Sequence, residues 1–364
     1  MANNKIAVIG GGHGCYAAAA SLTENGHNVS LWRRNSEALK KIQHNNLIKL
    51  TDYKGTRNIK IKNISSNLVE VMKSAKLVVL PLPCHTQISL AQQLAPLWQD
   101  GQVGYLPPGT FGGYLFAKAA REMGNKSNII FGETGTLPYL ARKQGDAHVR
   151  ISVYATRLPT GLFPFKDAEI GFNIIKNAFP AAEMITDLLD GALMNAGPII
   201  HPPLIIMNAG PLQHFDTWDI HNEGTQTSIR RVTDQLDLER VLLRQALSYE
   251  APHFPLKNHY NDDEDEWMYG NSSHEKLTDS GDWREHIDLQ THRYMMEDTA
   301  QGLTFLCSLG RWIKQPMPIS EGLLSIGSAI VGSDLYKNGR SLENLGLVKL
   351  DFQGLKERLL KGFI

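Results

Sequence analysis

Four apolar residues, Ile6 to Ile9, run straight into Gly10-Gly11-Gly12-His13-Gly14-Cys15 and then into an alanine-rich segment. A short buried strand that turns at glycine and re-enters the sequence as a helix admits few folds. The pattern is that of a parallel sheet whose first turn approaches a pyrophosphate, with the charge held by the N–H groups and positive dipole at the start of the helix. Gly10 makes the tight turn and Gly12 permits the close approach. The third small position of the fingerprint falls on Cys15, with Gly14 one residue earlier, while Ala17 to Ala20 keep the helix thin where it crosses the sheet. Gly10, Gly12, His13, Gly14 and Cys15 are therefore the candidate cofactor contacts.

The end of the second strand selects the dinucleotide. His27-Asn28-Val29-Ser30-Leu31-Trp32 reads as that strand, and an NAD-binding chain places an acidic residue just beyond it to bond the ribose 2′-hydroxyl. Here stand Arg33 and Arg34. Two guanidiniums match a 2′-phosphate in charge and in forked hydrogen bonding, and no carboxylate competes for the ribose. NADP(H) is the expected cofactor, with NAD(H) as the alternative.

Strand and helix continue to alternate. Ala75 to Leu80 is the apolar run of a strand buried on both faces, ending in Pro81-Leu82-Pro83, which places Pro83 at a carboxyl end where cofactors bind. A helix from His85 to Leu97, a strand near Gln102 to Leu106, a helix near Tyr114 to Met123 and a strand at Asn128 to Phe131 follow. Val149 to Tyr154 then alternates β-branched and polar residues, as in one arm of an antiparallel pair. Beyond Gly191 helical spacing takes over, in Leu236, Val241, Leu242, Ala246 and Leu247 and again in Leu323, Leu324, Ile326, Ile330 and Val331. The expected architecture is α/β, with a Rossmann-type parallel-sheet domain over residues 1–190 and a mostly α-helical domain over residues 191–364.

Composition excludes several classes. Thirty-seven basic residues balance thirty-seven acidic ones, so the chain lacks the basic excess on which a nucleic-acid binder depends. Cys15, Cys84 and Cys307 are scattered and odd in number, which argues against a disulfide framework or zinc site and for a reducing, cytoplasmic setting. No stretch approaches the roughly 18–20 apolar residues of a membrane span.

In the second half, His201 sits inside the apolar run Asn195 to Gly210, where its ring nitrogens require either a core partner or a ligand. Arg293 and Asp298 lie five apart in His292-Arg293-Tyr294-Met295-Met296-Glu297-Asp298. On an α-helix they occupy related faces, compatible with one cleft or with a surface ion-pair helix. The short acidic run from Asp262 to Glu266 reads as a solvated loop. Trp218, Trp267 and Trp283 suit either a core or a substrate pocket.

The glycine turn, Glu133-Thr134-Gly135-Thr136-Leu137-Pro138-Tyr139, the stretch around His201, the segment from His292 to Asp298, and Gly339-Arg340-Ser341-Leu342-Glu343-Asn344-Leu345-Gly346-Leu347 occur in an order that resembles the opine dehydrogenase family, within the wider 6-phosphogluconate-dehydrogenase-like two-domain reductases. The resemblance implies an enzyme that joins the amine of an amino acid to an α-keto acid and reduces the imine with a nicotinamide hydride. It implies His201 as acid–base residue, Asp298 as its partner and Arg293 as anchor for the keto-acid carboxylate. Its partners are then small molecules, neither nucleic acid nor membrane, and a homodimer is compatible with the long apolar helices. Two other readings compete. Reductases resembling glycerol-3-phosphate dehydrogenase or ketopantoate reductase use a catalytic lysine, for which Lys257, Lys276, Lys314 and Lys337 are the candidates. A non-catalytic NADP(H)-binding sensor would keep the glycine turn and lose the His201, Arg293 and Asp298 set.

Overall fold

The computed structural model describes residues 4–257, 268–269 and 284–363. Trp267, Trp283, Lys276 and the run from Asp262 to Glu266 lie outside the described residues. Two compact units emerge, one comprising Met1–Leu82, Thr86–Ala192 and Glu357–Ile364, the other Pro83–His85 and Leu193–Lys356.

Up to residue 192 the chain forms β1 (Lys5–Ile9), α1 (His13–Glu24), β2 (Asn28–Trp32), α2 (Ser36–Gln43), β3 (Leu47–Asp52), β4 (Gly55–Lys60), β5 (Asn63–Ser65), α3 (Leu68–Met72), β6 (Leu77–Val79), α4 (Cys84–Leu94), β7 (Val103–Leu106), α5 (Gly112–Glu122), β8 (Ile130–Thr134), β9 (Tyr139–Lys143), β10 (His148–Tyr154), β11 (Leu158–Phe163), α6 (Ala168–Ala178), β12 (Ala182–Asp187) and α7 (Leu188–Ala192). The main sheet runs β12-β11-β8-β7-β6-β1-β2-β5. Its six strands from β5 to β8 are parallel, in the doubly wound order that puts the β1 carboxyl end at the point where the strand order reverses. β11 then pairs antiparallel with β8. Every residue of β6 is buried, as a strand covered on both faces requires.

A second, four-stranded sheet has the order β4-β3-β10-β9. β10 is the expected antiparallel arm, paired with β9, but the hairpin β3–β4 beside it is absent from the simple strand–helix alternation. Local chemistry accounts for the hairpin: Asp52 accepts the Lys54 N–H at 2.8 Å and Gly55 takes φ +90°, so the chain reverses between two alternating runs. Arg57 ties this sheet to α1, donating to Asp52 at 2.7 Å and to Glu24 at 2.7 Å. The Arg57 bonds hold the Asp52 carboxyl below its ordinary value. Glu133, fully buried, accepts the Gly113 N–H at 3.2 Å and the Phe111 N–H, so it satisfies the donors at the start of α5.

The second unit contains α8 (Gly197–Ile206), α9 (Ala209–His214), α10 (Thr227–Ala246), a π-helix (Tyr294–Leu303), α11 (Thr304–Ile313), α12 (Pro318–Val331), α13 (Leu335–Asn338), α14 (Leu342–Leu345) and the start of α15 (Phe352–Lys361) up to Lys356. The buried stripe of α10 differs from the one its apolar spacing suggests. Leu236, Leu243 and Leu247 are buried, whereas Leu242 faces solvent. Arg240 occupies the inner face instead, because its guanidinium is satisfied by Asp237 at 2.7 Å and by the Leu193 and His253 carbonyls. On α12, Leu323 and Leu324 point inward and Ile326 is exposed.

A helical domain extending unbroken to residue 364 is corrected at the carboxyl terminus. From Glu357 onward the chain belongs to the first unit. Phe363 packs on Tyr114 and Phe163 with ring centroids 5.1 and 5.7 Å apart, and Leu359 is buried, so aromatic packing overrides chain order. The helix expected at 85–97 is also shorter, since a 3-10 turn at Ala95–Leu97 follows α4 where Pro96 removes a donor.

Candidate functional site

In the first unit the glycine turn has the geometry of a phosphate cradle. Gly10 sits at φ +125°, a region that L side chains avoid, and its N–H donates to the Trp32 carbonyl at 2.9 Å, stitching the turn to β2. Gly12 caps α1 without a side-chain acceptor, no acidic residue occupies the first helical turn, and a Cβ on Gly12 would meet nothing within 4 Å. The turn thus leaves room beside Gly12 at a helix start that no side chain caps, which suits a pyrophosphate. A Cβ on Gly14 would lie 2.7 Å from Leu137, so Gly14 is the position that lets this helix pack closely.

The Cys15 side chain packs beneath the turn. Its thiol lies 3.6 Å from both the Ile9 and Pro81 carbonyls, in the space that a Cβ on Gly10 would fill. Burial pushes it up to about 12, so it is an inert packing group. His13 accepts the Lys143 N–H on Nδ1 at 2.9 Å, which fastens β9 to the start of α1 and leaves the ring proton on Nε2. Arg33 is partly buried and donates to the Tyr16 hydroxyl at 3.0 Å, while Arg34 is exposed. Pro83 falls with the second unit rather than the glycine turn. The adjoining Cys84 peptide is held at both ends there, its N–H donating to Glu297 at 3.3 Å and its carbonyl accepting from Arg340 at 3.1 Å.

In the second unit, α8 and the π-helix bring His201 and Asp298 together. His201 Nδ1 lies 2.7 Å from Asp298 Oδ2. The approach needs small residues on both helices: a Cβ on Gly197 would lie 2.3 Å from Asp298 Oδ1, and one on Gly302 2.3 Å from Pro198. Pro202 and Pro203 inside α8 remove two backbone donors next to His201. The His201 ring lies flat on Tyr294, with centroids 3.8 Å apart and planes 19° from parallel. Arg293 stands over the other end of this assembly, its guanidinium carbon 4.7 Å from the Tyr294 ring centroid and Nη2 3.2 Å from the Tyr294 hydroxyl.

The π-helix explains why a spacing of five works. An α-helix turns 3.6 residues per revolution, so positions five apart diverge. In a π-helix the hydrogen bonds run from i to i+5, and Thr299 follows the same step with its hydroxyl on the Tyr294 carbonyl at 3.0 Å. Asp298 is thereby kept near enough to the capping Arg293 for each charge to act on the other.

Electrostatics make the pair a proton store near neutrality. Burial raises the Asp298 carboxyl to about 7 against the pull of Arg293. The neighbouring Glu297 is raised to about 7 as well, first by burial and then by the Asp298 charge. Burial opposes the Arg293 charge, but Tyr294, Glu297 and Asp298 outweigh it and keep the guanidinium protonated. Glu297 and Tyr294 are the members of this group that residue-by-residue reading of the sequence does not single out. Two adjacent acids in an apolar helix are the one signal pointing to Glu297, since an ordinary helix would turn one of them to solvent.

The raised carboxyls have a consequence for stability. The folded chain binds these two protons more tightly than the unfolded chain from about pH 4 to about pH 7, so their contribution to stability falls as pH rises through that window. The wild type is expected to lose more of its unfolding midpoint between about pH 5 and about pH 8 than Glu297→Gln does, by a few °C. Thermal unfolding of both at the two pH values checks this, and equal losses would rule out burial of Glu297 as the cause.

Residues 184–331 match the model of the α-helical domain of NAD/NADP octopine/nopaline dehydrogenase, and residues 5–105 match that of the NAD-dependent glycerol-3-phosphate dehydrogenase N-terminus. The opine dehydrogenase of Arthrobacter sp. (strain 1C) is 26% identical over 357 residues, spanning 96% of this chain and 97% of that one. The chain is a homologue of the opine dehydrogenases. Among solved structures, an octopine dehydrogenase described with NADH and pyruvate superposes with a TM-score of 0.72 at 14% identity, covering 100% of this chain and 99% of that one. A yersinopine dehydrogenase with NADP+ bound gives 0.67 at 12% identity, covering 99% and 98%. These two likenesses establish the fold. In this opine dehydrogenase homologue the lysines that a competing reductase would use are ill placed: Lys257, Lys314 and Lys337 are all exposed. No described helix is long and apolar enough to cross a membrane, and the described residues include no metal-binding group of His, Cys, Asp or Glu.

Proposed function

We propose that this NAD(P)-dependent oxidoreductase of the opine dehydrogenase type reduces the imine formed between an α-keto acid and the amine of an amino acid, with His201, Asp298 and Arg293 as its working side chains. The observation that carries the assignment is the 2.7 Å bond between His201 and a buried Asp298 on the π-helix that Arg293 caps. Arg293 presents parallel donors to the keto-acid carboxylate and fixes the plane of the adjoining carbonyl. His201 gives a proton to the departing carbonyl oxygen as the imine forms and recovers one afterwards. Asp298 fixes the ring orientation and stabilises the imidazolium while it exists. Tyr294, lying flat on the imidazole, limits the ring to that orientation. A dinucleotide bound at Gly10, Gly12 and Gly14 would supply the hydride.

The preferred dinucleotide is NADP(H), with Arg33 and Arg34 on the 2′-phosphate. The position of Arg33 supports this reading, since a Cβ on Gly11 would lie 2.6 Å from Arg33 Nε and only glycine lets the guanidinium lie over the turn. Arg33→Ala combined with Arg34→Ala is expected to move the ratio of kcat/KM for NADPH over NADH at least about tenfold toward NADH. An unchanged ratio would refute the phosphate assignment. Fold and reaction are tested together by following NADPH oxidation with pyruvate alone and then with pyruvate and each standard amino acid. Oxidation that requires both partners supports imine reduction, whereas oxidation with pyruvate alone makes the chain a carbonyl reductase.

A further inference from the structure

A second cation shares one aromatic ring with Arg33. Lys143, the last residue of β9, belongs to the four-stranded sheet and is separated from Arg33 by 110 positions of chain, yet its Nζ lies 4.1 Å from the centroid of the Tyr16 ring. Arg33 bonds the Tyr16 hydroxyl at 3.0 Å and its guanidinium carbon is 6.0 Å from the same centroid. The Lys143 backbone N–H is bonded to His13, the first residue of α1, so the strand end is tied to the glycine turn itself. Among the described residues neither cation has a carboxylate within salt-bridge distance. The nearby acid, Asp146, pairs with Lys41 at 2.5 Å instead. Burial and the Arg33 charge work against the Lys143 ammonium more than the nearby Asp146 charge supports it, a balance that a bound dianion would reverse.

We propose that Lys143 is a specificity residue of the dinucleotide site, completing with Arg33 a clamp for the 2′-phosphate monoester of NADP(H), with Tyr16 as the ring that both cations touch. The inference rests on the NADP(H) reading above and adds a ligand from a sheet that the nucleotide fingerprint does not include. Arg33 supplies directed, forked donors and Lys143 a compact charge, a pairing suited to a tetrahedral dianion. A ribose 2′-hydroxyl would leave the two cations unneutralised, so the clamp discriminates against NAD(H) as well as favouring NADP(H).

Calorimetric binding of adenosine 2′,5′-bisphosphate and adenosine 5′-monophosphate to the full chain tests this without turnover. The wild type is expected to prefer the bisphosphate. Lys143→Met should weaken the bisphosphate about tenfold and leave the monophosphate within about twofold, and Lys143→Arg should retain most of the preference. The monophosphate reports in the same variant that the site is folded. If Lys143→Met weakens both ligands equally, or neither, the lysine is not a 2′-phosphate ligand even though the NADP(H) reading stands. If the wild type itself binds both ligands alike, the NADP(H) reading and the clamp fall together.

Discussion

His201→Ala is expected to lower kcat about a thousandfold while the affinity for NADPH stays within about twofold. The split follows from where the imidazole stands. His201 is on α8, paired with Asp298 and stacked on Tyr294, and none of these groups belongs to the glycine turn. Its loss would remove the proposed proton donor for the departing oxygen and leave Asp298 buried without its hydrogen-bond partner. Asp298→Asn separates the two consequences. It keeps the shape and the bond to the ring but removes the charge that stabilises the imidazolium, so it should lower kcat strongly as well. In the wild type the carboxyl titrates near 7, and below that it carries its own proton, so kcat/KM is expected to fall on the acid side of about pH 7. The acid limb should vanish in Asp298→Asn. Initial rates across pH with saturating NADPH, together with NADPH binding by fluorescence, check both statements. A parallel loss of NADPH binding in His201→Ala would mean that the residue supports folding rather than chemistry.

Arg293→Ala is expected to raise the KM for the keto acid about a hundredfold, the second largest effect, with a smaller change in the KM for the amino acid. The guanidinium has two roles that the variant removes together. It would hold the substrate carboxylate, and it opposes the burial that drives the Asp298 and Glu297 carboxyls upward. The acid limb of the pH profile should therefore move to higher pH in Arg293→Ala as well. Arg293→Lys keeps a charge but loses the planar fork and the stacking over Tyr294, so it should restore the pH profile more fully than the KM. Steady-state kinetics with each substrate varied in turn distinguishes the outcomes. An unchanged keto-acid KM in Arg293→Ala would remove the residue from the carboxylate site.

The two halves of the chain differ in how far their roles can be read from order alone. In the first, the glycines, the short apolar strand and the alanines of α1 act through near neighbours, so the Rossmann-type sheet and its turn are legible directly. The role of Cys15 is not, because whether that thiol faces a cofactor or fills the space beneath Gly10 depends on the distant Pro81 carbonyl. In the second, His201 in an apolar run and Arg293 five residues from Asp298 leave two interpretations open each. Resemblance chooses between them, and the 97 positions separating His201 from Asp298 are closed only by the crossing of α8 over the π-helix.

Sequence by itself determined what depends on period and local backbone chemistry: the strand–glycine–helix entry, the parallel alternation, the helical second half and the residue types available for proton transfer. Tertiary structure decided what depends on long-range packing. It placed the segment from Glu357 onward with the first unit through Phe363, turned Arg240 inward at the expense of Leu242, and brought Lys143 to the Tyr16 ring. It also widened the helix that carries Asp298 just beyond Arg293. The physical reason is the same in each case. Backbone preferences act over a few residues, whereas burial, charge pairing and close helix crossing are properties of surfaces that exist only once distant segments meet.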